Sequence, residues 1–129
     1  MFQIDYNSNL PIYEQLVRKM KENILKGYLK AGDSLPSVRN MARQLGVTPN
    51  TIQKAYRMLE QENVIVTIRG KGAFVAEMKP VINMKEKLMD YKAQLKPLIG
   101  DMLYHGMKKE EIWNMIEEII DGIKEESHD

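Results

Sequence analysis

Apolar residues recur every four positions near the start of the chain, at Ile12, Leu16, Met20 and Ile24, and Tyr13, Val17 and Leu25 widen the stripe. That spacing predicts an amphipathic helix from Pro11 to about Lys26, stopped by Gly27. The segment from Tyr28 to Pro36, centred on Ala31-Gly32-Asp33, reads as a turn and extended connector. A second helix is predicted to open at Ser37, a good N-cap, to carry Val38, Met41, Ala42 and Leu45 on one face, and to end at Gly46. A third opens at Thr48 with Pro49 at its first helical position, where a missing amide hydrogen costs nothing. Its buried face is Ile52, Ala55, Tyr56 and Leu59, which leaves Asn50, Gln53, Lys54 and Arg57 on a connected exposed face. This helix is expected to end near Asn63, because Asn tolerates the left-handed backbone that helix ends commonly need.

Two β-prone runs follow, Val64 to Ile68 and Ala73 to Ala76, joined by Arg69-Gly70-Lys71-Gly72. They predict a hairpin with a basic tip. Helix, tight turn, longer helix and Gly-rich hairpin in unbroken succession describe a winged helix-turn-helix, an architecture that reads duplex DNA.

Beyond Glu77 the composition changes. Met78-Lys79-Pro80 reads as a linker, and a fourth helix is expected to start near Val81 with the stripe Met84, Leu88, Tyr91, Leu95, Leu98 and Met102. Pro97 lies inside that stripe and should kink or divide the helix. Gly106 marks a turn. A fifth helix begins near Lys109, with Met107 placed to staple onto Ile112, although Lys108 is a poor cap. Its stripe of Ile112, Met115, Ile116, Ile119, Ile120 and Ile123 is wide, and the end from Glu125 to Asp129 is expected to fray. The fold class is therefore α+β, mostly α: a winged helix-turn-helix over residues 1–77 and a two-helix part over residues 78–129.

Two helices of this size cannot bury such wide stripes against each other alone, so pairing with the same part of a second copy is the economical solution. Leu88, Tyr91, Leu95, Ile112, Ile116 and Ile119 are the expected dimerisation residues. The alternative is that both helices fold back on the winged helix in a monomer.

Charge sharpens this division. Residues 1–77 hold 11 Lys and Arg against 7 Asp and Glu, and residues 78–129 hold 8 against 11, so +4 and −3 give the overall +1. The basic excess sits with the helix-turn-helix. The 129 residues contain no cysteine, so thiolate metal sites are absent and a reducing cytoplasm suits the chain. No secretory leader and no apolar run of membrane-spanning length is visible, which reads as a cytosolic protein with no membrane partner.

Candidate chemistry converges on nucleic acid. The amides at the front of the third helix and the hydroxyls of Ser37, Thr48 and Thr51 are placed to bind phosphate. Asn50 and Gln53 can make paired hydrogen bonds to adenine, and Lys54 can address guanine or a phosphate. The hairpin tip lacks phosphate-loop spacing and precedes a strand, which argues against a nucleotide site. The methionines, among them Met20, Met41, Met84, Met102 and Met115, read as core filling. His105 and His128 have no evident carboxylate or cysteine partner at metal-ligand spacing, so no metal or other cofactor is expected. Glu117-Glu118 and Glu125-Glu126 read as solvated helix faces. No nucleophile constellation is visible, and an enzyme is not expected.

Three ordered motifs, Leu35-Pro36-Ser37-Val38-Arg39, Val47 to Tyr56 and Arg69-Gly70-Lys71-Gly72-Ala73-Phe74-Val75, resemble the GntR family of bacterial transcription regulators. Pro11-Ile12-Tyr13-Glu14-Gln15 and the short C-terminal part narrow the resemblance to the YtrA-like subfamily. The chain departs from the family pattern at Asn40-Met41, where Glu-Leu is usual, at Asn63, where Gly is usual, and at Ala73, where Thr is common. The first departure weakens the reciprocal half of the capping box begun by Ser37. The resemblance implies a DNA contact from Arg39 and a wing at Arg69, Gly70 and Lys71 suited to a minor groove. It also agrees with a dimeric regulator, more often a repressor, and the two-fold symmetry of such a dimer predicts a near-palindromic operator. Any small-molecule effector would bind at the dimer interface or hinge. The competing expectation is a winged-helix protein-interaction module that never reads sequence.

Overall fold

A computed structural model describes residues 2–78 and 83–124, which fall into two compact units, one in each range. The linker residues Lys79 and Pro80, the helix start expected near Val81, the terminal residues from Glu125 and His128 all lie outside the described residues.

The first unit holds three helices and a hairpin: α1 (Ile12–Leu25), α2 (Val38–Leu45), α3 (Pro49–Gln61), β1 (Ile65–Ile68) and β2 (Gly72–Val75). Leu16 and Met20 of α1, Met41 of α2, and Ile52 and Leu59 of α3 are almost wholly buried and form the centre of one core. Each such side chain contributes about 1.5 to 3 kcal/mol through removal from water. Leu25, counted in the α1 stripe, instead lies exposed at the last position of the helix. Gln15 is buried on the same helix. Its side chain donates to the carbonyls of Asp5 and Leu10 and accepts from the Asp5 amide, which fastens the N-terminal segment over α1.

Helix ends follow the capping chemistry. Ser37 Oγ accepts the Asn40 amide at 3.1 Å, and Gly46 closes α2 in the left-handed conformation at φ 68°. Asn63, at φ 61°, performs the same service after α3.

β1 and β2 pair antiparallel, with Ile65 opposite Val75 and Ile68 opposite Gly72. The connector before α2 does more than connect. Ser34 bridges Phe74, the Leu35 amide donates to Ala73 O, and the Val75 amide donates to Asp33 O, so this segment lies along the free edge of β2. Its run of Ala31-Gly32-Asp33-Ser34 carries no β-prone alternation, which is why the sequence hides it.

The second unit consists of α4 (Met84–Tyr104) and α5 (Lys109–Lys124), with a turn at Gly106. Pro97 does not divide α4, which runs unbroken through it. The residue forfeits one hydrogen bond, to the Ala93 carbonyl, and Ala93 is exposed, so water can serve that oxygen. Lys108 is a better start to α5 than its side chain suggests, because Glu111 reaches back to accept the Lys108 amide at 2.9 Å, the reciprocal half of a capping box. His105 is not isolated, since its Nε2 lies 3.6 Å from Asp101 one helical turn earlier.

Buried apolar surface is scarce in this unit: α4 has no buried residue and α5 only Ile112. Met84 is exposed rather than core filling, while Met102 and Met115 are half-buried. Among the described residues no helix is long and apolar enough to cross a membrane.

Candidate nucleic-acid interface

The candidate surface is assembled by the turn between α2 and α3. Gly46 and Thr48-Pro49 set the chain reversal, and the 13 residues of α3 then present Asn50, Gln53, Lys54 and Arg57 to solvent while Ile52, Ala55, Tyr56 and Leu59 are buried. Thr48 does not cap α3 through its side chain. Its Oγ1 instead lies 3.1 Å from Thr51 Oγ1, so the two hydroxyls form a pair at the front of the helix. One proton in that pair remains free to donate to an anion.

Ser37 and Arg39 are both exposed at the start of α2. Although the Ser37 oxygen accepts the Asn40 amide, its hydroxyl proton is still available. The start of α2 is also tied to α3, because the Tyr56 hydroxyl donates to the Pro36 carbonyl at 2.7 Å. Burial pushes the Tyr56 phenol up to about 12, which keeps it protonated as the donor that this bond needs.

At the hairpin tip the Lys71 amide donates to the Ile68 carbonyl at 2.9 Å, and Gly70 sits between them at φ 80°. That is the position at which a tight turn calls for glycine. A Cβ added to Gly70 would meet nothing within 4 Å, so the backbone there is open to close approach. Arg69 and Lys71 flank it, both exposed.

Ion pairs join Lys21 to Glu62, Lys26 to Glu22 and His105 to Asp101. None uses Arg39, Arg57, Arg69 or Lys71, so among the described residues these cations carry no internal counter-ion that DNA would have to displace. Lys54 differs, because its ammonium lies over the ring of Tyr13 on α1, 4.0 Å from the centroid. No group of three or more acidic, His or Cys side chains among the described residues could hold a metal ion.

The expected dimerisation residues differ in exposure. Leu88, Tyr91, Leu95 and Ile119 are exposed, Ile116 is half-buried, and Ile112 is 7% exposed. Sequence reasoning missed the Tyr13 ring beneath Lys54, the Tyr56 tie and the Tyr6 hydroxyl that donates to the Leu45 carbonyl at the end of α2. A tyrosine on an apolar stripe carries no signal of where its hydroxyl or ring face points.

A family model described as bacterial regulatory proteins, gntR family, matches residues 12–75. The HTH-type transcriptional repressor YtrA of Bacillus subtilis (strain 168) is 44% identical over 96% of this chain and 95% of its own length. A structure described as a transcriptional antiterminator from Listeria monocytogenes EGD-e is 42% identical, covers 95% of this chain and 92% of its own, and superimposes with a TM-score of 0.86. AraR(DBD) in complex with operator ORX1 is 25% identical over 58% of this chain and 96% of its own, with a TM-score of 0.53.

Proposed function

Because the chain belongs to the GntR family of bacterial regulatory proteins, in its YtrA-like branch, and is a DNA-binding transcription regulator rather than an enzyme, we propose that it represses transcription as a homodimer on a near-palindromic operator. One observation carries the reading of each half-site: α3 presents Asn50, Gln53, Lys54 and Arg57 together, with Arg39 on one neighbouring element and Arg69 and Lys71 on another. In this reading Asn50, Gln53 and Lys54 address base edges. Ser37, Thr48, Thr51 and Arg57 bind phosphate, Arg39 reaches the mouth of the groove, and the tip at Arg69, Gly70 and Lys71 approaches the minor groove. Two-fold symmetry through residues 78–129 would place two copies of α3 roughly 34 Å apart, one duplex turn. Repression is supported by the name of the Bacillus relative.

Selection of preferred sequences from a random duplex pool tests this. An enriched motif with inverted-repeat symmetry is expected, and a pool that stays unenriched would defeat the reading. Against the selected site, Gln53→Ala should cost about 1 to 3 kcal/mol and relax preference at one base position, whereas Lys71→Ala should weaken all sequences alike and lower the salt slope by about 1. Equal loss of discrimination from both variants would contradict the division between α3 and the wing.

A further inference from the structure

Among the described residues of the first unit, Lys54 is the candidate DNA-contacting cation found against a partner, and the partner is an aromatic face rather than a carboxylate. Tyr13 lies in the first turn of α1, half-buried, with its ring packed on the common core and its hydroxyl donating to Glu14 Oε1 at 3.2 Å. Core packing fixes the ring from below, and Lys54 crosses its outer face with the ammonium 4.0 Å from the centroid. A carboxylate in this place would have to be stripped from Lys54 before a phosphate or base could take its charge. A ring makes no such demand, because it attracts the cation through its quadrupole without neutralising its charge.

We infer that Tyr13 is a positioning residue for DNA binding: its ring holds the Lys54 side chain ordered in the free protein, so that Lys54 meets the duplex already placed. A free lysine side chain carries substantial rotamer entropy, and ordering it on contact subtracts from affinity. On Tyr13 that ordering has been done before DNA arrives. This inference rests on Lys54 lying in the interface, and it assigns to α1, which presents no other candidate reading residue, a part in the affinity of α3.

The test is a double-mutant cycle on the selected operator with the full chain, comparing wild type, Tyr13→Phe, Tyr13→Leu, Lys54→Ala and the combination of Tyr13→Leu with Lys54→Ala. Tyr13→Leu should weaken binding about threefold, the lower range of one exposed cation–π contact. Tyr13→Phe, which keeps the ring, should bind like wild type. In the Lys54→Ala background Tyr13→Leu should cost nothing further, while combined with Lys71→Ala its effect should multiply unchanged. Two results overturn the inference: Tyr13→Phe as weak as Tyr13→Leu, which would give the hydroxyl its own contact with DNA, or Tyr13→Leu as costly without Lys54 as with it. A Lys54→Ala variant that binds like wild type would overturn it from the other side, by removing Lys54 from the interface. The upfield ring-current shift of the Lys54 side-chain protons in the DNA-free protein, present in wild type and Tyr13→Phe and absent in Tyr13→Leu, separates that failure from loss of the ring contact itself.

Discussion

Tyr56 carries two duties that a phenylalanine could only half fulfil. Its ring lies in the core between α2 and α3, while its hydroxyl holds Pro36 one residue before the α2 cap. Tyr56→Phe should therefore keep the fold and lose about 1 to 1.5 kcal/mol in denaturant unfolding, the usual worth of one such bond, with more if the Pro36 carbonyl is left dry. Alkaline pH gives the same group a second signature. The phenol ionises near its ordinary value of 10.0 in the unfolded chain and near 12 in the folded one, so between those values the unfolded state binds fewer protons. Stability is then unaffected by this group below pH 10 and falls as pH rises from about 10 to about 12. The wild type should lose more stability across that window than Tyr56→Phe, and parallel curves would show that the hydroxyl is not shielded.

The legible elements were those whose ends are written in side chains. Ser37, Gly46, Thr48-Pro49 and Asn63 fix α2 and α3 to within two residues, and the positive φ of Asn63 is the requirement its residue type suggested. Asn63→Ala should accordingly destabilise the first unit by about 1 kcal/mol, the penalty for a Cβ in the left-handed region, measurable as a lowered denaturant midpoint. What stayed hidden were pairings made by backbone alone, such as Ser34 with Phe74, and caps supplied from the wrong side, such as Glu111 reaching back to Lys108. Pro97 misled in the opposite direction, because a proline forbids one hydrogen bond while its neighbours along a helix of 21 residues, about six turns, go on making theirs. Since α4 continues through it, Pro97→Ala should raise the thermal midpoint of the helical unit, with about 3 kcal/mol as the upper bound on the gain. A lowered midpoint would mean that the packing of α4 requires the proline. In the candidate interface, the identity of the exposed residues on α3 was readable from helical spacing, but the Tyr13 ring beneath Lys54 and the Tyr56 bond to Pro36 were not, since periodicity reports burial and says nothing of where a ring face or hydroxyl points.

At the scale of the molecule the two units differ in kind. The first closes a core around Leu16, Met20, Met41, Ile52 and Leu59, whereas the second leaves Leu88, Tyr91, Leu95, Leu98 and Ile119 about half exposed. Apolar surface on that scale is what a second copy would cover. The thermal midpoint of the full chain should then rise with protein concentration. Leu95→Glu should give a monomer in sedimentation whose first unit still unfolds cooperatively, and whose operator affinity is lower by about a hundredfold because the two half-sites are no longer engaged together. A dimer that survives this substitution would place the contact elsewhere. The tie along residues 34–37 has a separate consequence for what such a protein can tolerate in its operator. Within four consecutive residues the chain fastens to β2 through Ser34 and Leu35, to α3 through Pro36 and to α2 through Ser37. Wing, α3 and α2 are thereby spliced at one seam and cannot be adjusted one at a time. If α3 addresses bases and the wing a groove as proposed, a base inserted between the two would leave no slack to absorb it, so evolution of a new site would move whole half-sites rather than stretch one.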